Sequence, residues 1–96
     1  MGSGVIEMKA TIVNKMGLHA RPAASLVKLA GKYQSEIWLV NGSAEVNGKS
    51  IMGVLTLAAE CGSEITVKAD GGDAEEAVRS IIELIESGFG EVSDVA

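Results

Sequence analysis

Between Glu36 and Val46 the chain alternates on both sides of an Asn41-Gly42 pair. Ile37 and Leu39 oppose Trp38 and Val40 on the way in, and Ala44 and Val46 alternate on the way back. Asn-Gly suits the two-residue turn whose positive φ angles match the twist of paired strands. The middle of the chain is therefore committed to an antiparallel ribbon. Such a ribbon is barely stable alone and must bury its apolar side against other elements.

The flanking segments supply those elements. Met8–Val13 reads as a strand, with Met8, Ala10 and Ile12 on one side and Lys9, Thr11 and Val13 on the other. After a loop from Asn14 to Leu18, Ala20, Ala23, Ala24, Val27 and Ala30 recur at helical spacing with Leu26 in the stripe, and Gly31 marks the stop. The central strands span Glu36–Val40 and the Ala44–Val46 return. Ser50 opens a short helix in which Ile51, Val54, Leu55 and Ala58 share a face. Cys61-Gly62-Ser63 turns the chain into a strand over Glu64–Ala69, with Ile65, Val67 and Ala69 inward. Asp73 followed by Glu76 predicts a capping box. The helix it opens carries Ala74, Ala77, Val78, Ile81, Ile82 and Ile85 and ends near Ser87-Gly88, before a frayed tail over Glu91–Ala96. The order is β-α-β-β-α-β-α, an α+β chain with helices covering one side of a sheet.

Ninety-six residues fit one domain, spanning 1–96. A net charge of −5 argues against general nucleic-acid binding, and 3% aromatic residues argue against a base-stacking surface. No apolar run approaches the roughly 18 residues needed to cross a bilayer, and the start of the chain lacks a signal-peptide pattern, so no membrane insertion is expected. One cysteine, Cys61, excludes an internal disulfide and suits the reducing cytoplasm.

Gly17-Leu18-His19-Ala20-Arg21-Pro22 holds the only histidine and the only proline. His19 falls at the expected N-cap of the first helix, a place where Ser, Thr, Asp and Asn are favoured. A residue that breaks a local rule often marks a working site. A helix start offers unbonded N–H groups and a partial positive charge, which suit a phosphate group. Ala20 leaves room for the anion, and the Arg21 guanidinium can grip its oxygens. Pro22 has no N–H to satisfy. An imidazole at this position can serve as a nucleophile toward phosphorus. Each electrostatic contribution is worth about 0.3–2 kcal/mol, which suits a group that must be passed on. No second histidine or cysteine cluster supports a metal.

These residues resemble the histidine-containing phosphocarrier family HPr of the phosphoenolpyruvate-dependent sugar phosphotransferase system. Gly17-Leu18-His19-Ala20-Arg21-Pro22-Ala23 resembles its active-site motif, and Asn47-Gly48-Lys49-Ser50-Ile51-Met52-Gly53 its second signature. The resemblance runs from about Met8 to Glu91. It implies an open-faced β-sandwich, a four-stranded antiparallel sheet under three helices. It also implies a carrier rather than an enzyme, needing no cofactor. Nδ1 of His19 would accept a phosphoryl group from enzyme I, with phosphoenolpyruvate as ultimate donor, and pass it to IIA domains of sugar permeases. Arg21 would stabilise the phosphate.

Ser50 is the expected N-cap of the short helix. The resemblance adds regulatory phosphorylation there by HPr kinase/phosphorylase, with a catabolite-control transcription regulator as a further partner. A phosphoserine at a helix start is electrostatically favourable. Ala20, Ala24 and Lys28, together with Ile51, Met52 and Leu55, would form the docking patch shared by these partners. Met52 lies off the inward stripe, whereas Ile51 and Leu55 could equally be buried. A monomer is expected of a carrier presenting one face. The alternative is a regulatory HPr-like paralogue, in carbon or nitrogen control, acting mainly by protein binding. The known carbon-control form lacks the histidine that is present here.

Overall fold

The computed structural model describes residues 5–90. Their elements run β1 (Val5–Thr11), α1 (Ala20–Ala30), β2 (Glu36–Asn41), β3 (Ala44–Asn47), α2 (Ile51–Leu57), β4 (Glu64–Asp70) and α3 (Ala74–Glu86), then a 3-10 turn over Gly88–Gly90. The four strands form one antiparallel sheet in the order β1-β4-β2-β3. A β2–β3 hairpin forms where the Asn41-Gly42 pair predicts one, but its two turn residues are Gly42 and Ser43: Asn41 ends β2, paired to Ala44, and of these residues only Gly42 takes positive φ.

One face of the sheet is buried. Ala10, Ile12, Ile37, Leu39, Ile65, Val67 and Ala69 project from it into a single apolar cluster. α3 covers it with Ala74, Ala77, Val78, Ile81, Ile82 and Ile85, and α1 with Pro22, Ala23, Leu26 and Ala30. The opposite face holds Trp38 and Val40, half-buried, among polar residues, and Lys9–Glu64 and Lys68–Glu45 pair across it. Glu75, Glu76, Glu83 and Glu86 of α3 are solvent-exposed.

Three expectations need correction. β1 starts at Val5 and ends at Thr11, not Met8–Val13. Its backbone pairs with β4 from Val5↔Asp70 onward, so pairing extends past the alternating stretch, and Met8 stays partly exposed on this edge strand. Of the expected face on α2, Val54 is buried and Leu55 half-buried, but Ile51 and Ala58 are exposed and Leu57 is buried instead. The helix ends at Leu57 because Ala58 turns left-handed at φ 53°, a conformation that disfavours a side chain and stops the helix. The capping box does not form. Asp73 stands at the N-cap of α3, but its carboxylate makes no cap bond. The tail from Glu91 lies outside the described residues.

The Asp73 carboxylate reaches across the molecule instead. It accepts from the backbone N–H of Gln34 at 2.9 Å, from that of Ser35 at 3.0 Å and from the Ser35 hydroxyl at 2.5 Å. Gly71, at φ +154°, lies so close to Ser35 that an added Cβ would stand 2.4 Å from its Oγ. The Tyr33 hydroxyl donates to Ser80 Oγ at 2.8 Å beside it. The clasp ties the segment between α1 and β2 to the start of α3.

The Ser35 hydroxyl bond, followed by the Gln34 N–H, holds the Asp73 carboxyl below its ordinary pKa of 3.8. A depressed carboxyl contributes stability that is present above its unfolded pKa and lost as pH falls through the folded one. Asp73→Asn should therefore be less stable than wild type at neutral pH, with the gap closing below about pH 4. Urea midpoints measured against pH test this; a gap that persists unchanged at low pH would refute it.

Candidate functional site

His19 is the N-cap of α1, with extended backbone at φ −80° and ψ −169°. Its carbonyl accepts the first helical bond, from Ala23 N–H at 3.0 Å. The imidazole does not cap the helix. The N–H groups of Ala20 and Arg21 precede that first bond and lie at the positive end of the helix, and Pro22 adds none. The first turn holds no acidic residue, unlike that of α3, which carries Glu75 and Glu76. The start of α1 is thus electrostatically open to an anion in a way that the start of α3 is not.

The approach to His19 is held on both sides. His19 N–H donates to Gly17 C=O at 2.9 Å, and Leu18 N–H donates to Ala59 C=O at 2.9 Å. Leu18 is buried. Gly17 takes φ +69°, and a Cβ there would stand 2.4 Å from the Ala59 oxygen and 2.9 Å from Glu60 Cα. The segment after α2 therefore buttresses the loop that presents the histidine. Cys61 belongs to the same buttress, its exposed thiol donating weakly to Val13 C=O at 3.8 Å.

α1 and α2 run antiparallel. The end of α2 leads to Ala59 beside Leu18, while the residue before α2, Lys49, donates from Nζ to Tyr33 C=O just beyond α1 at 2.7 Å. Ser50 caps α2, its Oγ accepting from Gly53 N–H at 3.0 Å. His19 and Ser50 accordingly stand at opposite ends of the pair, with the seven-residue length of α2, about 10 Å, between Ser50 and the end that meets Leu18.

The other sequence-predicted residues divide by exposure. Ala20, Arg21, Ala24 and Lys28 on α1 are exposed. On α2, Met52 is 67% exposed and Ile51 38% exposed, while Leu55 is half-buried against the core. Met16, a loop residue to which sequence reading assigns no role, is 70% exposed.

Thirteen acidic residues belong to the chain, yet none lies in 12–35 or in 46–59. Those stretches carry Lys15, Arg21, Lys28, Lys32 and Lys49, five of the eight basic residues. An acidic protein thus carries an acid-free, cationic segment around α1 and the start of α2. The pattern is visible in the sequence, but only once charge is read by segment rather than as a net value. A shallow depression at the start of α3, lined by Asp73, Glu75, Glu76 and Glu83 among others, holds none of the predicted site residues.

Residues 6–87 match the family described as the PTS HPr component phosphorylation site. The chain belongs to the HPr family. It is 44% identical over 87 residues to the phosphocarrier protein HPr of Cupriavidus necator, covering 91% of this chain and 98% of that one. The crystal structure of an HPr from Thermoanaerobacter tengcongensis superposes with a TM-score of 0.86 at 46% identity, covering 90% of this chain and 97% of that one. The HPr-like protein Crh of Halalkalibacterium halodurans is 42% identical over 82 residues, covering 85% and 98%. The open-faced sandwich expected from the resemblance is the fold observed, and the HPr relatives identify a phosphocarrier protein.

Within this HPr-family chain, the tightest steric demand near the histidine is at Gly17. Gly17→Ala should lose about 2 kcal/mol or more, because the methyl group meets backbone and the φ is positive. Urea unfolding measures this, and faster amide exchange at Leu18 should accompany it. An alanine variant as stable as wild type would show that the buttress contact is loose.

Proposed function

We propose that this chain accepts a phosphoryl group from enzyme I on Nδ1 of His19 and donates it to IIA domains of sugar permeases. The observation that carries the reading is the N-cap position of His19, on a helix whose first turn has no acidic residue and contains Arg21. The Nδ1 lone pair attacks phosphorus; the bond to the donor atom breaks, and that atom leaves with the electron pair. The second transfer is the same exchange with His19 as leaving group. The N–H groups of Ala20 and Arg21 and the Arg21 guanidinium stabilise the phosphate oxygens through charge-assisted bonds. These contacts are solvent-accessible, so the stabilisation stays modest and the group stays transferable.

Docking uses Ala20, Ala24 and Lys28 with Ile51, Met52 and Leu55. The cationic segments favour partners with acidic surfaces, which speeds and orients encounter. The protein acts as a monomer in the cytoplasm and forms a phosphohistidine intermediate without catalysing a reaction of its own.

Ser50 is the proposed regulatory site, phosphorylated by HPr kinase/phosphorylase, with the phosphorylated form read by a catabolite-control regulator. Similarity to Crh supports this arm: a Bacillus subtilis structure of Crh, described as a catabolite repression protein, superposes with a TM-score of 0.71 at 36% identity, covering 86% of this chain and 95% of that one. The length of α2, about 10 Å, exceeds the Debye length of about 8 Å in physiological salt. Direct repulsion between phosphates on Ser50 and His19 is therefore weak. Ser50 phosphorylation instead alters the docking face that Ile51 and Met52 share.

Incubation with enzyme I and phosphoenolpyruvate should give one acid-labile phosphate per chain, and His19→Ala should give none. Equal labelling of wild type and His19→Ala would end the phosphocarrier reading. Incubation with ATP and HPr kinase should label wild type but not Ser50→Ala, and should lower the subsequent rate of transfer from enzyme I. Identical labelling of both would remove the regulatory site.

A further inference from the structure

Asn14 to Gly17 is a tight turn whose central residues are Lys15 and Met16. It is fastened twice. Gly17 N–H donates to Asn14 C=O at 3.1 Å, and Asn14 Nδ2 donates to Gly17 C=O at 2.8 Å. Asn14 itself is buried, so the second bond is sheltered from water. The far end of the turn is held in turn by the wedge of Gly17 against Ala59 and by the Leu18 bond.

Met16 therefore projects from a braced support. At 70% it is the most exposed large hydrophobic side chain among the described residues. The bonds brace the backbone that carries Met16, and its side chain stands in solvent. An apolar group held in water by a rigid backbone gains from burial by a partner, and little backbone order is lost on binding.

The neighbourhood selects the partner's chemistry. Met16 stands three residues ahead of His19, and the stretch 12–35 has no acidic residue while holding Lys15, Arg21, Lys28 and Lys32. We propose that Met16 is an anchor for docking to enzyme I, entering an apolar hollow on that protein whose rim carries carboxylates facing Lys15 and Arg21. The anchor deepens the function proposed above and depends on enzyme I being the donor. Met16 is a specificity-determining residue: it sets how tightly and in what orientation His19 is presented, and takes no part in the exchange at phosphorus. Met52, at the other end of the α1–α2 pair and 67% exposed, is the matching apolar contact. An unbranched thioether adapts to hollows of different shape, which suits a face meeting more than one partner.

The test is steady-state phosphorylation of the full chain by enzyme I and phosphoenolpyruvate, with Met16→Ser, Met16→Leu and Met8→Ser beside wild type. Met8 is 42% exposed on β1, away from α1 and α2, and serves as control. Met16→Ser should raise KM for this chain about 10-fold with kcat unchanged, the signature of lost uniform binding. Met16→Leu should stay within about 2-fold of wild type, since volume and apolarity are kept. Met8→Ser should match wild type, and all unfolding midpoints should agree. An unchanged KM in Met16→Ser, a fall in kcat alone, or an equal rise in KM for Met8→Ser would overturn the anchor. So would sedimentation showing a wild-type dimer that Met16→Ser dissolves while KM is unchanged, which would make Met16 a contact between copies. A wild-type chain that takes no phosphate from enzyme I would remove both readings. One that takes phosphate, with KM indifferent to residue 16, would remove the anchor alone.

Discussion

The placement of every working residue depends on one apolar sheet face being covered by helices. Where the helices meet the core they are built partly from alanine: Ala23 and Ala30 of α1 and Ala74 and Ala77 of α3 are all almost fully buried. Small residues let helix backbones lie close, and the branched side chains of β2 and β4 fill the remaining space at crystal-like density. Because the stripe of α1 includes Pro22, Ala23, Leu26 and Ala30, the helix can lie on the sheet in only one rotation about its axis. That rotation leaves Ala20, Arg21 and Ala24 in solvent. The exposed start of α1 is thus set by packing at residues buried in the core.

Packing also explains what could be read in the sequence. The inward sets on β4 and α3 follow from local periodicity, and both are observed as expected. His19 could be placed at its helix end because the apolar stripe starts just after it and Pro22 fits only a first turn. Other features depend on partners distant in sequence. Asp73 followed by Glu76 has every local mark of a capping box, yet Ser35 and Gln34, nearly forty residues away, take its carboxylate. The end of α2 was equally hidden. Ala58 is a good helix former, and only the need to bring Ala59 against Leu18 turns the chain there. The start of β1 is fixed by backbone pairing to β4, which leaves no side-chain signature.

The α1–α2 arrangement brings two chemically similar devices into one surface. His19 and Ser50 each stand at a helix N-cap, where backbone N–H groups favour an anion. Running the helices antiparallel puts these two anion-favouring ends far apart on a shared face. The Lys49–Tyr33 bond and the Leu18–Ala59 bond tie the pair at both ends, so neither helix start can drift toward the other. Were both ends phosphorylated as proposed, the two groups would stand apart on one surface, and Ser50 would act through the docking face rather than by direct repulsion.

The segregation of charge has a consequence in motion as well as in contact. Acid-free stretches around α1 and α2, set against the exposed glutamates of α3, distribute charge unevenly over a molecule of net charge −5. In the field of an acidic partner such a body experiences a torque before it touches anything. It turns its cationic end forward, while its acidic flank is pushed away. Rotational search, which usually slows protein association below the diffusion limit, is shortened in this way. The tumbling molecule then meets an acidic surface with the α1–α2 face, rather than the α3 glutamates, turned toward it.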